Sequence, residues 1–306
     1  MERVTMQIDL HQHVWTEPLL DALAARQCAP FVRRADGLTV LHCAGELPCV
    51  IDEAAESPAA RARLLAADRL DQAVVAISSP IGIEMLAPDA AEELIAAHLD
   101  GVLALGHGFR AWGPIPARAP EPAAVDAALA RGCVGISLPA AALADRSALH
   151  VALPVLEHVQ ACGIPLFVHP GGFASREACL DDPLWWTALT DYVSQMHAAW
   201  LTFGAFGRRE LPRLRVLFAM LAGGAPLLAE RLAARGGPAI DLRDLETFYD
   251  TSSYALTMVE AMARCVGPAQ LVYGSDRPVI EPVPTGREVE LMSNSGAVLE
   301  PMRAFA

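Results

Sequence analysis

The chain is predicted to be an α/β protein, a (β/α)₈ TIM barrel with a small insertion after its first strand. Short apolar, β-branched segments alternate with Ala- and Leu-rich helical segments about eight times, which is the pattern of this barrel. The alternation runs through the whole chain of 306 residues. No glycine fingerprint of a dinucleotide-binding sheet follows the first strand, so a doubly wound sheet is only the alternative fold.

Eight segments are predicted to be strands because they are short, apolar and rich in β-branched residues. They cover residues 6–13, 73–78, 109–115, 134–138, 165–169, 215–220, 247–251 and 271–275. Helical patterns lie near residues 53–70, 89–104, 121–131, 147–162, 186–206, 225–235, 255–266 and 286–304. This order of strands and helices is that of a parallel barrel.

The connection after the first strand is too long for a simple loop. Residues 19–71 are predicted to form an insertion that overhangs the barrel mouth, where ligands bind in this fold. Within it, residues 37–43 are predicted to belong to a hairpin. Because no repeat, low-complexity linker or composition break divides the chain, residues 1–306 are predicted to be one domain.

The charge and the absence of long apolar runs limit the partners. The formal net charge of −13 argues against nucleic acid, because phosphate binding needs clustered basic side chains. No apolar run is long enough for a membrane span, and the first residues lack the apolar run of a signal peptide. We therefore expect a cytoplasmic protein that acts on a small molecule, with neither nucleic acid nor a membrane as partner.

The cysteine and lysine contents exclude further kinds of chemistry. The seven cysteines are scattered and form no C-x-x-C pair, so they are predicted to be reduced thiols. The 23 residues counted as Lys or Arg are all arginine. The absence of lysine excludes a Walker A lysine and a Schiff-base lysine.

Two histidines stand at the end of the first predicted strand. His11 and His13 are two residues apart, and side chains two apart on a strand project from the same face. Two imidazoles side by side are half of a metal site. Taken alone, such a pair is also compatible with packing or with a surface position, so the other ligands have to come from elsewhere in the chain.

The remaining ligands are expected at the ends of other strands, because the C-terminal ends of barrel strands converge on one point. The fifth predicted strand ends with His169, and the eighth is followed by Asp276. Three imidazoles and one carboxylate suit a borderline divalent ion, so one metal ion is predicted, with Zn²⁺ the first choice. Asp276 is also the predicted catalytic residue, because it is placed to accept a proton from a metal-bound water.

Four segments resemble the amidohydrolase superfamily, and within it the amidohydrolase-related group of the aminocarboxymuconate-semialdehyde decarboxylase type. They are IDLHQH at 8–13, FVHPG at 167–171, YDTS at 249–252 and YGSDRP at 273–278. The resemblance implies a mononuclear, usually zinc-containing barrel with His11, His13, His169 and Asp276 as ligands. Ser137 stands where binuclear relatives carry a lysine, which agrees with a single metal ion.

One position departs from this resemblance. The family pattern has a histidine two residues before a Gly-Gly pair after the sixth strand, and Leu221 stands there. In the family that imidazole polarises the substrate or acts as acid or base, and leucine does neither. Metal binding is expected to survive, and His197, His42 and His107 are the candidates for the missing group, although each is also explained as a packing or loop residue.

Arginines and tryptophans near the predicted mouth suggest how a substrate is held. Arg33 and Arg34 lie in the insertion and Arg277 follows Asp276, so they are predicted to bind a carboxylate-bearing substrate. Trp112 is predicted to line a pocket for a planar ring. Weaker candidates for the same roles are Arg110, Trp185 and Trp186.

Three functions are compatible with these features. The first is a metal-dependent hydrolase of an amide, ester or lactone, in which metal-activated water attacks the carbonyl carbon. The alternative is a metal-dependent non-oxidative decarboxylase of an aromatic or muconate-like acid. The third is a catalytically impaired barrel that binds a metabolite, which Leu221 favours. Self-association is expected, with residues 298–306 as the candidate contact.

Overall fold

The computed structural model describes residues 6–172, 179 and 181–300. In chain order, the strands within these residues are β1 (Ile8–Gln12), β2 (Phe31–Ala35), β3 (Leu38–His42), β4 (Cys49–Ile51), β5 (Gln72–Val75), β6 (Phe109–Pro114), β7 (Gly135–Pro139), β8 (Leu166–His169), β9 (Val216–Phe218), β10 (Thr247–Asp250) and β11 (Leu271–Val272).

Eight of these described strands form one parallel sheet in the order β1-β5-β6-β7-β8-β9-β10-β11. The last strand returns to the first, because Leu10 N donates to Tyr273 O at 3.0 Å and His13 N donates to Arg277 O at 2.7 Å. Each strand falls within or close to a segment predicted from the sequence. The predicted TIM barrel is therefore confirmed.

Helices connect the strands on the outside of the barrel. Within the described residues they are α1 (Glu17–Ala24), α2 (Pro58–Ala67), α3 (Pro88–Leu103), α4 (Pro122–Ala130), α5 (Arg146–Ala161), α6 (Trp186–Thr202), α7 (Arg208–Glu210), α8 (Ala229–Ala234), α9 (Leu256–Val266) and α10 (Glu288–Leu299). The sequence analysis did not predict α1 or the three-residue α7. A proline in the first turn begins α1 to α4, where the missing amide costs no hydrogen bond.

The long connection after β1 contains a small antiparallel sheet, β2-β3-β4. Asp36 and Gly37 join β2 to β3 with φ values of 52° and 77°, which is the left-handed backbone of a two-residue hairpin turn. The predicted hairpin at 37–43 is thus β3 with its turn, and β4 adds a third strand. The predicted span 19–71 also includes α2, which leads into β5 as a barrel crossover helix.

An unusual left-handed turn follows β9. Met220, Leu221, Ala222, Gly223 and Gly224 have φ values of 45°, 52°, 53°, 62° and 83°. Residues other than glycine are strained in this left-handed region of φ and ψ, at a cost of about 1–2 kcal/mol per residue. Such strain is concentrated at functional sites, where the surrounding structure holds it in place.

Among the described residues, no helix combines the length and the apolar character that crossing a bilayer requires. The described cysteines form no disulfide.

Candidate metal centre

His11 and His13 project together from the end of β1. Their side chains are almost fully buried, at 2% and 1% exposure. The two Nε2 atoms are 3.1 Å apart, and the ring planes stand at 89° to each other. Two imidazoles this close and edge to face are arranged around a common point rather than stacked on each other.

His169 and Asp276 complete the cluster from β8 and from the segment after β11. The ring centroid of His169 is 4.9 Å from that of His11 and also from that of His13. Asp276 Oδ1 lies 3.5 Å from His11 Nε2 and 3.2 Å from His13 Nε2. One ligand atom from each of the four residues lies within 4.8 Å of the others. The structure therefore brings together the four predicted ligands.

The outer nitrogen of each ring has an acceptor. His11 Nδ1 lies 2.9 Å from Asp250 Oδ2, His13 Nδ1 lies 2.9 Å from the carbonyl oxygen of Ala76, and His169 Nδ1 lies 2.8 Å from that of Pro170. These acceptors place the proton of each neutral imidazole on Nδ1 and leave the lone pair on Nε2.

When both rings are neutral, the lone pairs on the Nε2 atoms of His11 and His13, which are 3.1 Å apart, repel each other. A cation between them removes the repulsion, and the nearby carboxylate of Asp276 supplies negative charge. The donor set of three imidazole nitrogens and one carboxylate oxygen therefore fits a single divalent metal ion.

The charges around the cluster also favour one positive centre. Burial lowers the pKa of His11, but the carboxylates of Asp250, Asp276 and Asp9 outweigh it and raise that pKa to about 9. Burial and the neighbouring rings of His11 and His13 hold the pKa of His169 well below its ordinary value. The surroundings thus stabilise a positive charge at His11, beside Asp250, and destabilise a second positive charge on His169.

A buried hydrogen-bond network fixes β1 against the segment that carries Asp276. Asp9 Oδ1 accepts from the backbone amides of His11 at 3.0 Å and Ser275 at 3.1 Å. Asp9 Oδ2 accepts from Gln12 Nε2 at 2.8 Å, and Gln12 Oε1 accepts from Arg61 Nη2 at 2.7 Å. Because one carboxylate holds both segments, the distance from the histidines to Asp276 is set by the barrel closure.

The four predicted ligand residues lie in a cavity of about 200 Å³, which we call the metal pocket. Its wall is partly apolar and contains two phenols. Besides the ligands, the described lining residues are Ser78, Pro80, Pro170, Ala188, Leu189, Tyr192, Met220, Ser252, Ser253, Tyr254, Val279 and Ile280. A small molecule with a planar or apolar body fits such a wall.

The residue after β9 that lines this pocket is Met220, not Leu221. Leu221 is 2% exposed and belongs to the hydrophobic core. The left-handed turn begins at Met220, so its side chain is directed to the pocket while Leu221 packs behind it. Of the two residues, it is therefore Met220 and not Leu221 that lies beside the predicted ligands.

The predicted substrate-binding arginines are not in the described lining of the metal pocket. Arg34 pairs with Asp21 at 2.6 Å and Glu53 at 2.8 Å. The guanidinium of Arg33 lies over the ring of Phe31, 4.3 Å from its centroid.

Arg277 is directed away from the ligands as well. It pairs with Asp68 and Glu281, at 2.8 Å each. Because neighbouring carboxylates already neutralise Arg34 and Arg277, neither has a free charge for a substrate in this structure.

The predicted aromatic lining is also absent from the described wall of the metal pocket. Trp112 is fully buried, donates from Nε1 to Leu10 O at 2.8 Å and stacks on Phe167, so it packs the barrel interior. Trp185 and Trp186 are 54% and 40% exposed at the start of α6. Arg110 is exposed on β6.

The three histidines considered as replacements for the missing imidazole lie elsewhere. His42 stacks on Phe31 in the insertion, and His107 is exposed in the turn before β6. His197 Nε2 lies 2.8 Å from the carbonyl oxygen of Gly223, so it contacts the back of the left-handed turn. None of them is among the described lining residues of the metal pocket.

Sequence reasoning missed the role of Asp250, although it noted the segment that contains it. This carboxylate is fully buried at the end of β10 and contacts His11. The rule that identified the ligands also applies here, because Asp250 is a polar residue at the C-terminal end of a barrel strand. Sequence reasoning also missed Tyr192, which lines the metal pocket. No sequence pattern marks it, because a tyrosine in the middle of a helical segment does not indicate a pocket.

Solved structures share this fold. A protein described as amidohydrolase II matches with a TM-score of 0.72 and 14% identity, over 96% of this chain and 99% of that one. The 5-carboxyvanillate decarboxylase of Sphingomonas paucimobilis matches with a TM-score of 0.68 and 16% identity, over 97% and 100%. The 5-carboxyvanillate decarboxylase of Novosphingobium aromaticivorans was solved as a mutant with bound manganese and a nitrobenzoic acid. It matches with a TM-score of 0.67 and 16% identity, over 99% of this chain and 96% of that one.

No protein-family model matches the chain, and no curated protein matches it either. At 14–16% identity, these structural matches show that the chain shares the fold of those proteins.

Proposed function

We propose that the chain is a metal-dependent, non-oxidative decarboxylase of the amidohydrolase superfamily, acting on a small aromatic or muconate-like acid. One observation carries the proposal: His11, His13, His169 and Asp276 converge in a partly apolar pocket with their metal-binding atoms facing one another. Decarboxylases with the same fold, one of them with bound manganese, support the choice of reaction.

This choice reverses the order of the two enzymatic hypotheses drawn from the sequence, where the hydrolase came first. Both reactions use the same metal ligands, so the cluster alone does not separate them. The named neighbours favour the decarboxylase, since several of them are decarboxylases of aromatic acids. The wall formed by Leu189, Val279 and Ile280 suits the apolar body of such an acid.

The three histidines and Asp276 would hold the metal ion. When bound, a divalent ion there supplies a Lewis acid that attracts the substrate's carboxylate and stabilises the charge that develops as the C–C bond breaks. The set of three nitrogens and one oxygen is compatible with Zn²⁺ and with Mn²⁺. We propose Zn²⁺ as the native ion because imidazole ligands predominate.

The residues of the chain then have distinct tasks in the reaction. The C–C bond to the carboxylate breaks, CO₂ leaves, and the electron pair that stays on the substrate carbon takes up a proton. Asp276 is the carboxyl group placed to carry that proton, because it is 17% exposed and borders the metal pocket. Met220 has no ionisable group, so it bounds the substrate without moving a proton.

Product analysis tests the proposal. The purified protein is analysed for metal content, loaded with Zn²⁺ or Mn²⁺, and incubated with aromatic acids such as 2,6-dihydroxybenzoate and 5-carboxyvanillate, and separately with lactones and cyclic amides. CO₂ release, with one deuterium incorporated at the vacated carbon in D₂O, is the expected result. Ring opening of lactones or amides without CO₂ release would instead establish the hydrolase.

A matched pair of variants controls this experiment. His169→Ala removes a ligand and is expected to abolish CO₂ release. His158→Ala removes a histidine that pairs with Asp126 on the outer helices and is expected to leave the release unchanged. Release that persists in His169→Ala would show that the reaction takes place elsewhere.

A further inference from the structure

A second cavity opens beside the metal pocket. Its volume is about 240 Å³, and Pro80 and Tyr192 line both cavities. We call it the side pocket. Its walls come from the insertion, from the loop after β5, from Gly171 and Gly172, and from α6. Since a cavity of about 150 Å³ holds a benzene ring, the side pocket has room for the part of a ligand that extends beyond the metal pocket.

Glu46 and Tyr192 form a hydrogen-bonded pair at the boundary of the two cavities. The hydroxyl of Tyr192 donates to Glu46 Oε1 at 2.9 Å. Glu46 lies between β3 and β4, is half-buried and lines the side pocket. An ionised carboxylate has about four acceptor positions, so one bond from Tyr192 leaves Glu46 with capacity to accept hydrogen bonds from a ligand.

The rest of the side pocket is apolar or acidic. Pro30, Ile81, Met85 and Leu86 supply apolar surface. The ionisable side chains among its described lining residues are those of Glu46, Asp191 and Tyr192, and none of them is basic. A ligand group that enters next to Glu46 therefore meets an acceptor with negative charge in a partly desolvated setting, where a charge-assisted hydrogen bond is strong.

We propose that the side pocket binds the end of the ligand remote from the metal, and that Glu46, oriented by Tyr192, selects an end that carries an ammonium, an amidinium or a comparable hydrogen-bond donor. This assignment rests on the proposed function for the other end of the ligand, the acid group at the metal. It replaces the expectation from the sequence that Arg33, Arg34 and Arg277 bind a carboxylate of the substrate.

The pH of the assay is chosen so that the carboxyl group of Glu46 is ionised. Burial raises its pKa, Asp191 nearby raises it further, and the hydrogen bond from Tyr192 lowers it, with a net increase. Because the proposed contact needs the ionised carboxylate, binding is measured at pH 8. At that pH the amidinium of benzamidine is fully charged.

Calorimetry with benzamidine and its neutral analogue benzamide tests the side pocket directly on the metal-loaded protein. The wild type is expected to bind benzamidine about tenfold more tightly than benzamide. Glu46→Gln keeps the shape and removes the charge, so the preference is expected to disappear. Tyr192→Phe is expected to leave a reduced preference, because the charge remains but its orientation is lost.

Glu53→Gln is the matched control. Glu53 belongs to the same insertion, pairs with Arg34 and lines neither cavity, so this variant is expected to retain the tenfold preference. Equal binding of the two probes by the wild type, no measurable benzamidine binding, or a preference that survives Glu46→Gln would each overturn the proposal.

A second pair of probes spans both cavities and separates this proposal from the proposed function. The 3- and 4-(aminomethyl)benzoates are compared with the corresponding ethylbenzoates, and at least one amino isomer is expected to bind about tenfold more tightly, with the gain lost in Glu46→Gln. If the benzamidine result holds while no benzoate binds, the side pocket stands and the acid-binding function fails. If benzoates bind and the benzamidine preference is absent, the acid-binding function stands and the proposal for the side pocket fails.

Discussion

His11 Nδ1 lies 2.9 Å from Asp250 Oδ2, and both side chains are almost fully buried. The other carboxylate oxygen of Asp250 accepts from the backbone amide of Met220 at 2.9 Å and from the hydroxyl of Ser252 at 2.6 Å. One carboxylate therefore orients a proposed metal ligand and also holds the first residue of the left-handed turn. The geometry of the metal pocket depends on the end of β10 as much as on the strands that carry ligands.

Asp250→Asn is expected to weaken metal binding by about 10- to 100-fold, as the loss of such an orienting partner does in other metal sites. The amide keeps the size of the side chain but no longer offers His11 an ionised acceptor. Competition with a fluorescent chelator measures the affinity, and thermal unfolding shows whether the fold is kept. Asp21→Asn, which changes an exposed carboxylate paired with Arg34, is the control. Unchanged affinity in Asp250→Asn would refute the orienting role.

His169→Ala is expected to empty the metal site. The variant leaves two imidazoles and one carboxylate, and it replaces a buried ring with a void next to them. Elemental analysis of the purified variant, beside His107→Ala as a control at an exposed position, measures the metal content per chain. Full occupancy in His169→Ala would exclude this residue as a ligand.

Met220→His and Leu221→His are expected to differ, although the residues are adjacent. Met220 lines the metal pocket, so a histidine there places an imidazole beside the ligands. An increase in the turnover of the proposed decarboxylation is expected, because this imidazole adds an acid or base beside the substrate. Leu221 is core, and a buried imidazole without partners is expected to destabilise the fold by about 1–3 kcal/mol. Turnover and melting temperature of both variants distinguish the positions, and a gain of turnover in Leu221→His alone would contradict the assignment to Met220.

His98 is expected to make the fold sensitive to acid. It is 1% exposed on α3, and neither ring nitrogen has a hydrogen-bond partner among the described residues. Burial, and to a lesser extent His13, lower its pKa from 6.5 to about 3. The unfolded chain therefore binds a proton more readily than the folded chain below pH 6.5. The stability that depends on neutral His98 is complete above that pH and is lost as the pH falls toward 3.

The loss at pH 5 amounts to about 2 kcal/mol relative to pH 8. His98→Leu removes the titrating group while keeping a similar volume, so its unfolding free energy is expected to decrease less between pH 8 and pH 5. Urea unfolding of both proteins at several pH values gives the difference. His107→Leu, at an exposed position, is the control, and parallel pH curves for wild type and His98→Leu would disprove this explanation.

Much of the fold and all four proposed ligands followed from local patterns. Strand and helix periods are properties of short segments, and the barrel rule converts strand ends into one site. His11, His13, His169 and Asp276 could therefore be grouped although they are more than 250 residues apart at the extremes. The ends of elements were less accurate: the last strand is only Leu271–Val272, because pairing partners decide where a strand stops.

The pocket wall was not predictable in the same way. Arg34 was predicted to bind the substrate, but in the structure it pairs with Asp21 and Glu53. Trp112 was predicted to line a ring-binding pocket, but it is fully buried. The direction of a side chain after a strand depends on the backbone that follows. The left-handed turn at Met220 therefore changed which residue faces the pocket.

The sequence by itself determined the barrel and the four residues of the proposed metal site, because both depend on residue types at short, regular spacings. Only the tertiary structure decided the shape and the charge of the space beside the metal. Glu46 and Tyr192 are separated by 146 positions and have no common motif. Their contact exists because the insertion and α6 pack over the same end of the barrel, and that packing is set by contacts between distant segments rather than by any local pattern.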